Sequence, residues 1–388
     1  NTTLKRLVIS ACNCILIGKD ARFKLFLNKH CPVLNETYWP TFWCIEGTMM
    51  SLMRVFLHAT IFRVAGVNYI SSSEMLTASD GGEICLQWAD TGYKQRDSKD
   101  MNPKPIILLL YGVTGNSDDG YILELVNIAS NLGYRSVVMN YRGKGGAIFK
   151  TAKGHCPPYT GDLEFVMEHL KTNHPHSVMV CVAVSMGATV LFNYLAKTGH
   201  DCWFKAALVV STAWDMISVN NVLENTVSRF IFNKHILGKL KDMVDKNSHL
   251  LQRDYDVEYI LKSATIREFE ERVLVQMFGY RNVEEYYNDC CIHQKISSVK
   301  IPVLCLNADN DPISPKCAFP IKEASQYSNI VLAITSHGGH VAFCERLIPS
   351  RANYMNRVFK EYVDAIFKFG EKELFTTMPN NDASNTFH

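Results

Sequence analysis

The sequence predicts an α/β fold: a mostly parallel central sheet with helices on both faces and an inserted helical cap. Three observations carry this. Strand-length apolar runs alternate with helix-length segments from residue 106 to residue 211. The alternation stops over residues 214–297, which are helical in character and rich in charge, Leu and aromatics. Two more apolar runs, IPVLCLNA (301–308) and NIVLAITS (329–336), then resume it. Continuous apolar runs are what parallel strands need, because helices cover both faces of the sheet.

Taken in order, the chain starts at Asn1 rather than Met, so it reads as a fragment or a processed form. Residues 7–17, LVISACNCILI, are too short for a bilayer span, which takes about 20 residues. They read as the remnant of an anchor or as an apolar strand or helix. Glu46 and Arg54 interrupt the apolar stretch 39–62, whose Trp, Phe and Met content suits an interfacial surface or a pocket wall. A packed N-terminal helix is the alternative. Residues 1–90 are assigned to an N-terminal, membrane-proximal segment packing on the core.

Residues 91–105 read as a loop. The strand IILLLYG (106–112) follows, then a Gly- and Asp-rich turn and a helix near 120–132. Next come the strand 136–142, a helix near 161–172 and the strand 177–184. The helix 186–199 is closed by Gly199, and the strand 205–211 ends this half. Residues 91–213 and 298–370 form the core, with 214–297 as the cap insertion. A last helix is expected near 350–368, then a disordered polar tail over 371–388.

Composition narrows the function. The chain has 388 residues, 47% hydrophobic and 20% charged, enough to bury a sizeable core. A formal net charge of +2, with no RNA- or DNA-binding signature, argues against nucleic acid as a partner. The 13 cysteines are odd in number and lack CxxC pairs, so reduced, buried thiols are expected. Cys12, Cys14 and Cys31, with His30, lack a second ligand pair at metal-site spacing.

The chemistry centres on CVAVSMGATV (181–190). Ser185 sits where a buried strand gives way to a helix, with the small residues Ala183 and Gly187 two positions either side. That is the pattern of a nucleophile elbow, GxSxG, with Ala in the first small place. The helix start at Met186 turns free N–H groups toward the site. A serine needs a base, and the base needs a carboxylate, each on a loop after a strand. DNDPISP follows one late strand and HGGHVAF the other. Asp311 is chosen over Asp309 because Pro312 and Pro315 fix its loop. His340 is chosen over His337 because Gly338 and Gly339 allow close approach. The N–H groups of Val113 and Met186 are the expected oxyanion hole. YGVTG lacks the GK[ST] ending of a phosphate loop. Arg142 reads as a structural ion-pair residue, and HLLQRD (249–254) as a chance match to the H-x4-D pattern of some acyltransferases.

These motifs, with HCPVLNETYWPTFWC (30–44), YGVTGNS (111–117), NYRGKGG (140–146), TIREFEER (265–272), FGYRNVEEYY (278–287) and NADNDPISP (307–315), resemble a known group. It is the α/β-hydrolase domain-containing proteins 1 and 3, in the type-4 family of the AB hydrolase superfamily. The resemblance runs from about residue 18 to residue 370. It implies an α/β-hydrolase fold, a triad at Ser185, Asp311 and His340, and acyl-ester substrates that include phospholipids. It also implies a single N-terminal anchor, upstream or truncated, in an intracellular membrane.

The expected activity is a membrane-associated serine hydrolase of lipid carboxylic esters, working through an acyl-enzyme without metal or cofactor. An acyltransferase using the same acyl-enzyme, or a non-catalytic lipid-binding protein, are the alternatives. No protein partner is indicated. Two positions depart from the group's pattern: Ala183 replaces the first elbow glycine, and Tyr111 replaces the usual His of the oxyanion loop.

Overall fold

The computed structural model describes residues 12–60, 70–90, 103–225, 228–349 and 353–375. Its central sheet orders the strands β2 (Ile15–Ile17), β11 (Ile330–Thr335), β10 (Val303–Ala308), β9 (Ala206–Val210), β8 (Met179–Val184), β6 (Ile106–Leu110), β7 (Arg135–Asn140), β5 (Glu83–Ala89) and β4 (Ser72–Thr77). The strands from β11 through β7 run parallel. β6, β8, β9, β10 and β11 are buried at every position, which is why their sequences are almost wholly apolar, with Asn307 and Thr335 the polar exceptions. A separate short pair joins β1 (Cys12–Asn13) to β3 (Thr37–Tyr38).

Helices cover both faces of the sheet. Arg22–His30, Gly120–Asn131 and Tyr354–Gly370 pack together, and Asn356 donates to Glu124 across that layer at 2.9 Å. Gly161–Asn173 and Met186–Thr198 are tied by Lys197 and Glu164 at 2.7 Å. Between β9 and β10 lies a run of helices that includes Met216–Glu224, Lys234–Lys246 and Val283–Cys290. Those helices bury their own apolar cluster, with Val219, Leu223, Val244, Ile260 and Phe269 at its centre.

The N-terminal region departs from the sequence reading. Rather than only packing on the core, it supplies both edges of the sheet. β4 and β5 form an antiparallel hairpin that pairs with β7, and Ile15–Ile17 pairs antiparallel with β11. The turn Ser79-Asp80-Gly81-Gly82 between alternating strands was the available signal, since Asp-Gly is a strong hairpin marker. Gly81, at φ +82°, takes the left-handed conformation there. The last helical turn also departs from the sequence reading, which assigned residues 371–375 to the tail. Residues Glu371–Phe375 extend the last helix, and Glu373 pairs with Lys29 at 2.9 Å and His30 at 3.0 Å. Residues 376–388, like residues 1–11, which include the start of the apolar run, and most of the 91–105 loop, lie outside the described residues.

Arg142, just after β7, is 2% exposed. It grips Asp162 with two hydrogen bonds, 2.9 and 2.7 Å, and Asp80 at 2.7 Å. It therefore ties the end of β7 to a covering helix and to the hairpin turn, a structural task. The described cysteines are free, and burial pushes the Cys181 and Cys305 thiols well above their ordinary range. Among the described residues no helix is long and apolar enough to cross a membrane.

The order of connections sets the site. The chain passes from β6 to β7, then returns to place β8 on the other side of β6. Such a reversal opens a crevice at the carboxyl ends of the two diverging strands, where open α/β sheets bind ligands.

Candidate active site

Ser185 follows β8 at that crevice with φ 55° and ψ −122°. A left-handed serine is costly unless its surroundings hold it. Here its amide donates to the Val210 carbonyl at 2.9 Å, and its own carbonyl accepts from Ala188 at 2.9 Å. Gly187 has no room for a side chain, because a Cβ there would stand 2.8 Å from the carbonyl oxygens of Leu110 and Tyr111. Ala183 is interior to β8 and fully buried, so its methyl fits without disturbing the turn.

Asp311 and His340 reach the same point from the ends of β10 and β11. His340 Nε2 lies 2.9 Å from Ser185 Oγ, and its Nδ1 lies 2.9 and 3.0 Å from the two Asp311 carboxylate oxygens. Asp311 Oδ1 also accepts from the amides of Ile313 at 2.8 Å and Ser314 at 3.0 Å. The proline-flanked loop thus fixes the carboxylate before the imidazole meets it. Asp309 instead pairs with Lys316, and His337 faces Ser336 Oγ at 3.0 Å. Ser211 and Val341 hold φ 51° and 58° beside the site, and the Val341 amide donates to Ser211 Oγ at 2.9 Å. A β-branched residue in that conformation is a genuine outlier, so the His340 loop carries strain that its neighbours restrain.

The amides of Val113 and Met186 have no hydrogen-bond partner among the described residues. Gly112 brings the first of them close, since a Cβ on Gly112 would lie 3.3 Å from Ser185 Cβ. The loop is braced by tyrosines. Tyr121 OH accepts from the Gly112 amide at 3.1 Å. Tyr111 OH accepts from the Tyr141 amide at 3.0 Å and donates to Asn140 at 3.3 Å. The phenol at the departing position therefore still supports the loop, from below rather than from the site.

Residues with no evident sequence signal complete the setting. His340 is held from behind by the N-terminal region: its amide donates to Ser51 Oγ at 2.8 Å, and Ser51 donates to the Gly47 carbonyl at 2.7 Å. Asn310 links the Asp and His loops to the same region, donating to the Ile45 carbonyl at 2.9 Å and accepting from Gly339 at 3.1 Å.

A cavity of about 370 Å³ opens on Ser185. Its far walls are mostly apolar residues of the helical insertion, such as Leu223, Phe232, Leu240, Val244 and Phe269, while Ser51, Arg54 and Val55 line it from the N-terminal helix Gly47–Thr60. Glu270 stands at one wall, where burial pushes it up to about 7 while Tyr287 OH donates to it at 2.7 Å. His249 and Asp254 of the H-x4-D match are exposed and do not line this cavity.

Metal-ligand types gather in one place among the described residues. Asp215, Cys291 and His293 offer atoms within 4.8 Å of one another. Cys291 donates to Asp215 at 3.2 Å, and burial pushes its thiol up to about 11, so the group is satisfied without an ion. His30 stacks on Phe369 at 4.2 Å and bonds Glu373, away from any thiol cluster.

Fold and enzyme class are thereby defined: an α/β-hydrolase of the serine type. The model of the family described as "Serine aminopeptidase, S33" matches residues 101–345. Phospholipase ABHD3 from Bos taurus is 38% identical over 357 residues, 92% of this chain and 85% of that protein. The Homo sapiens protein of that name is also 38% identical over 357 residues, 92% and 86% of the two chains. Monoacylglycerol lipase from Saccharomyces cerevisiae is 27% identical over 247 residues, 62% of this chain and 55% of that one. Among solved structures, α/β-hydrolase domain-containing protein 10 from mouse has a TM-score of 0.46 at 13% identity, covering 76% of this chain and 98% of its own. The chain belongs to the AB hydrolase superfamily, in the group of α/β-hydrolase domain-containing proteins 1 and 3.

Proposed function

We propose that this hydrolase cleaves the carboxylic ester bonds of lipids, phosphoglycerides among them, through an acyl-enzyme on Ser185. The observation that carries the reading is the 2.9 Å approach of His340 Nε2 to a serine oxygen that faces an apolar cavity. The names of the phospholipase and monoacylglycerol lipase relatives support the lipid ester as substrate.

His340 takes the proton of Ser185 Oγ as that oxygen attacks the ester carbonyl carbon. Asp311 holds the imidazole in the required tautomer and stabilises its cation. The carbonyl oxygen gains the negative charge and turns toward the amides of Val113 and Met186. Losing one such donor typically costs about 2.7–4 kcal/mol of barrier. The tetrahedral adduct collapses, the C–O bond to the alcohol breaks, and His340 returns the proton to the leaving oxygen. Water, deprotonated by His340, then splits the acyl-enzyme and releases the fatty acid.

The decisive experiment pairs a fluorophosphonate probe with lipid turnover. Folded wild-type protein is expected to be labelled at Ser185 and to release free fatty acid. Ser185→Ala should do neither. Labelling at another residue, or fatty acid release by the variant, would reject the reading.

The substrate's aggregate state points to a membrane surface. The helix Gly47–Thr60 turns Met49, Leu52 and Phe56, which are 51%, 45% and 57% exposed, away from the core, and Trp43 and Leu347 are 42% and 63% exposed. Trp43 Nε1 donates to the Leu347 carbonyl at 2.7 Å, which joins the two segments into one face. Aromatic and aliphatic side chains of this kind seat in the headgroup region, and the same helix lines the cavity. Phe56→Ser together with Trp43→Ser is expected to weaken partitioning into phosphatidylcholine vesicles about 10-fold or more, since each buried aromatic contributes roughly 1.5–3 kcal/mol. Sedimentation with vesicles reads the change, and unaltered partitioning would remove this face from the proposal.

A further inference from the structure

We propose that Arg54 and Lys239 form a subsite for the phosphodiester of a glycerophospholipid, in the cavity that the reacting serine faces. The inference rests on the ester-hydrolase reading above and adds the feature that would select its head group. Arg54, from the N-terminal helix, and Lys239, from the helical insertion, both line the cavity that Ser185 faces. They approach it from two separate parts of the chain.

Arg54 differs from the arginine that serves structure. Arg142 is fully satisfied by Asp162 and Asp80. Arg54 Nε is buried with no partner. Its guanidinium sits 5.2 Å above the ring of Tyr121, the residue whose hydroxyl holds the Gly112 amide. Neither Arg54 nor Lys239 forms an ion pair among the described residues. A buried donor without an acceptor is unfavourable, so a ligand that satisfies it gains by the same token.

The local charge is also unbalanced. Arg54, Lys239 and Lys144 all act on one carboxylate, Asp119, which lines the cavity as well. Burial raises the Asp119 carboxyl despite those cations. Burial, reinforced by Lys239, holds Lys144 below its ordinary value. Three cations around one acid leave net positive charge there; Glu270, the other acid of the lining, is pushed up to about 7 by burial, and the wall beyond is mostly apolar. A planar guanidinium fork matches two phosphate oxygens, and a lysine adds a point charge. In a glycerophospholipid the phosphodiester lies only a few bonds from the scissile carbonyl. An ester seated at Ser185 with its acyl chain among Leu223, Phe232 and Phe269 would carry its phosphate toward the N-terminal helix.

The test compares two micellar substrates with identical acyl chains, phosphatidylcholine and diacylglycerol, on the full chain. Arg54→Met is expected to lower the ratio of kcat/KM for phosphatidylcholine over diacylglycerol about 10-fold, mainly through KM. Lys239→Met should move the ratio the same way, and Arg54→Lys should recover part of it. An equal fall on both substrates would assign Arg54 a structural role and overturn the subsite, as would an unchanged ratio. Inorganic phosphate is the control for source. If it inhibits diacylglycerol turnover competitively while wild type shows no preference for phosphatidylcholine, the cations serve a free anion and the head-group assignment falls. Ester hydrolysis that persists in Ser185→Ala would sink the underlying reading instead, so the two failures are separable.

Discussion

His340→Ala is expected to lower kcat by roughly 10⁶-fold, and adding Ser185→Ala to it should cost little more. The reason is that the two side chains act as one unit. Without the imidazole at 2.9 Å, the serine hydroxyl keeps its proton and cannot attack. Without the serine, the base has nothing to activate. Asp311→Asn should be milder, at roughly 10⁴-fold, because the imidazole stays in place but in the wrong tautomer. The measurement is the initial rate of ester hydrolysis by each variant, with far-UV circular dichroism to confirm that the fold is kept. The nearby histidine cannot stand in, since His337 faces Ser336 and not the serine of the elbow. A His340→Ala variant that kept activity within about 10²-fold of wild type would mean that another group takes the proton, and the proposed chemistry would be wrong.

The sheet, and the loops that meet at the proposed site, were legible in the sequence because both rest on local rules. β6 and β8 are buried on both faces, so IILLL and MVCVAV leave no polar position to blur the run. Gly187 is required by two carbonyl oxygens, and that demand shows in the motif itself. Asp311 and His340 could be chosen because prolines and glycines fix the loops that carry them. The edges of the sheet were less legible. β4 is exposed at four of its six positions and β2 spans only Ile15–Ile17, so neither has the unbroken pattern of a core strand. In the sequence Arg54 is only a break in an apolar stretch, since a lone charge reveals nothing of a cavity formed by residues nearly 200 positions later. The hold of Ser51 and Asn310 on the triad loops was invisible for the same reason: it is made across 289 and 265 residues by ordinary polar side chains.

That hold gives the second large expected effect. Gly47→Ala should lower kcat by at least about 10²-fold, although residue 47 touches no substrate, because a displacement of about 1 Å at a reacting group is enough for such a loss. A Cβ on Gly47 would stand 1.8 Å from the backbone oxygen of Asn310 and 2.9 Å from its carbonyl carbon. Neither atom belongs to a flexible side chain, so one backbone must move. Asn310 precedes Asp311, and its side chain holds Gly339, which precedes His340. The Gly47 carbonyl also fixes Ser51, which receives the His340 amide. A methyl at residue 47 therefore pushes on the backbone just before the acid and on the base through two hydrogen bonds. Ser185 itself, held by β8 and β9, stays where it is. The variant should keep its helical signal but react slowly with a fluorophosphonate, since the serine is present and its base displaced. Ser51→Ala serves as the graded comparison: it removes the acceptor for His340 without a clash, and should cost less. Wild-type kcat in Gly47→Ala would mean that the N-terminal helix yields without disturbing the loops, and that positioning of the base comes from β10 and β11 alone.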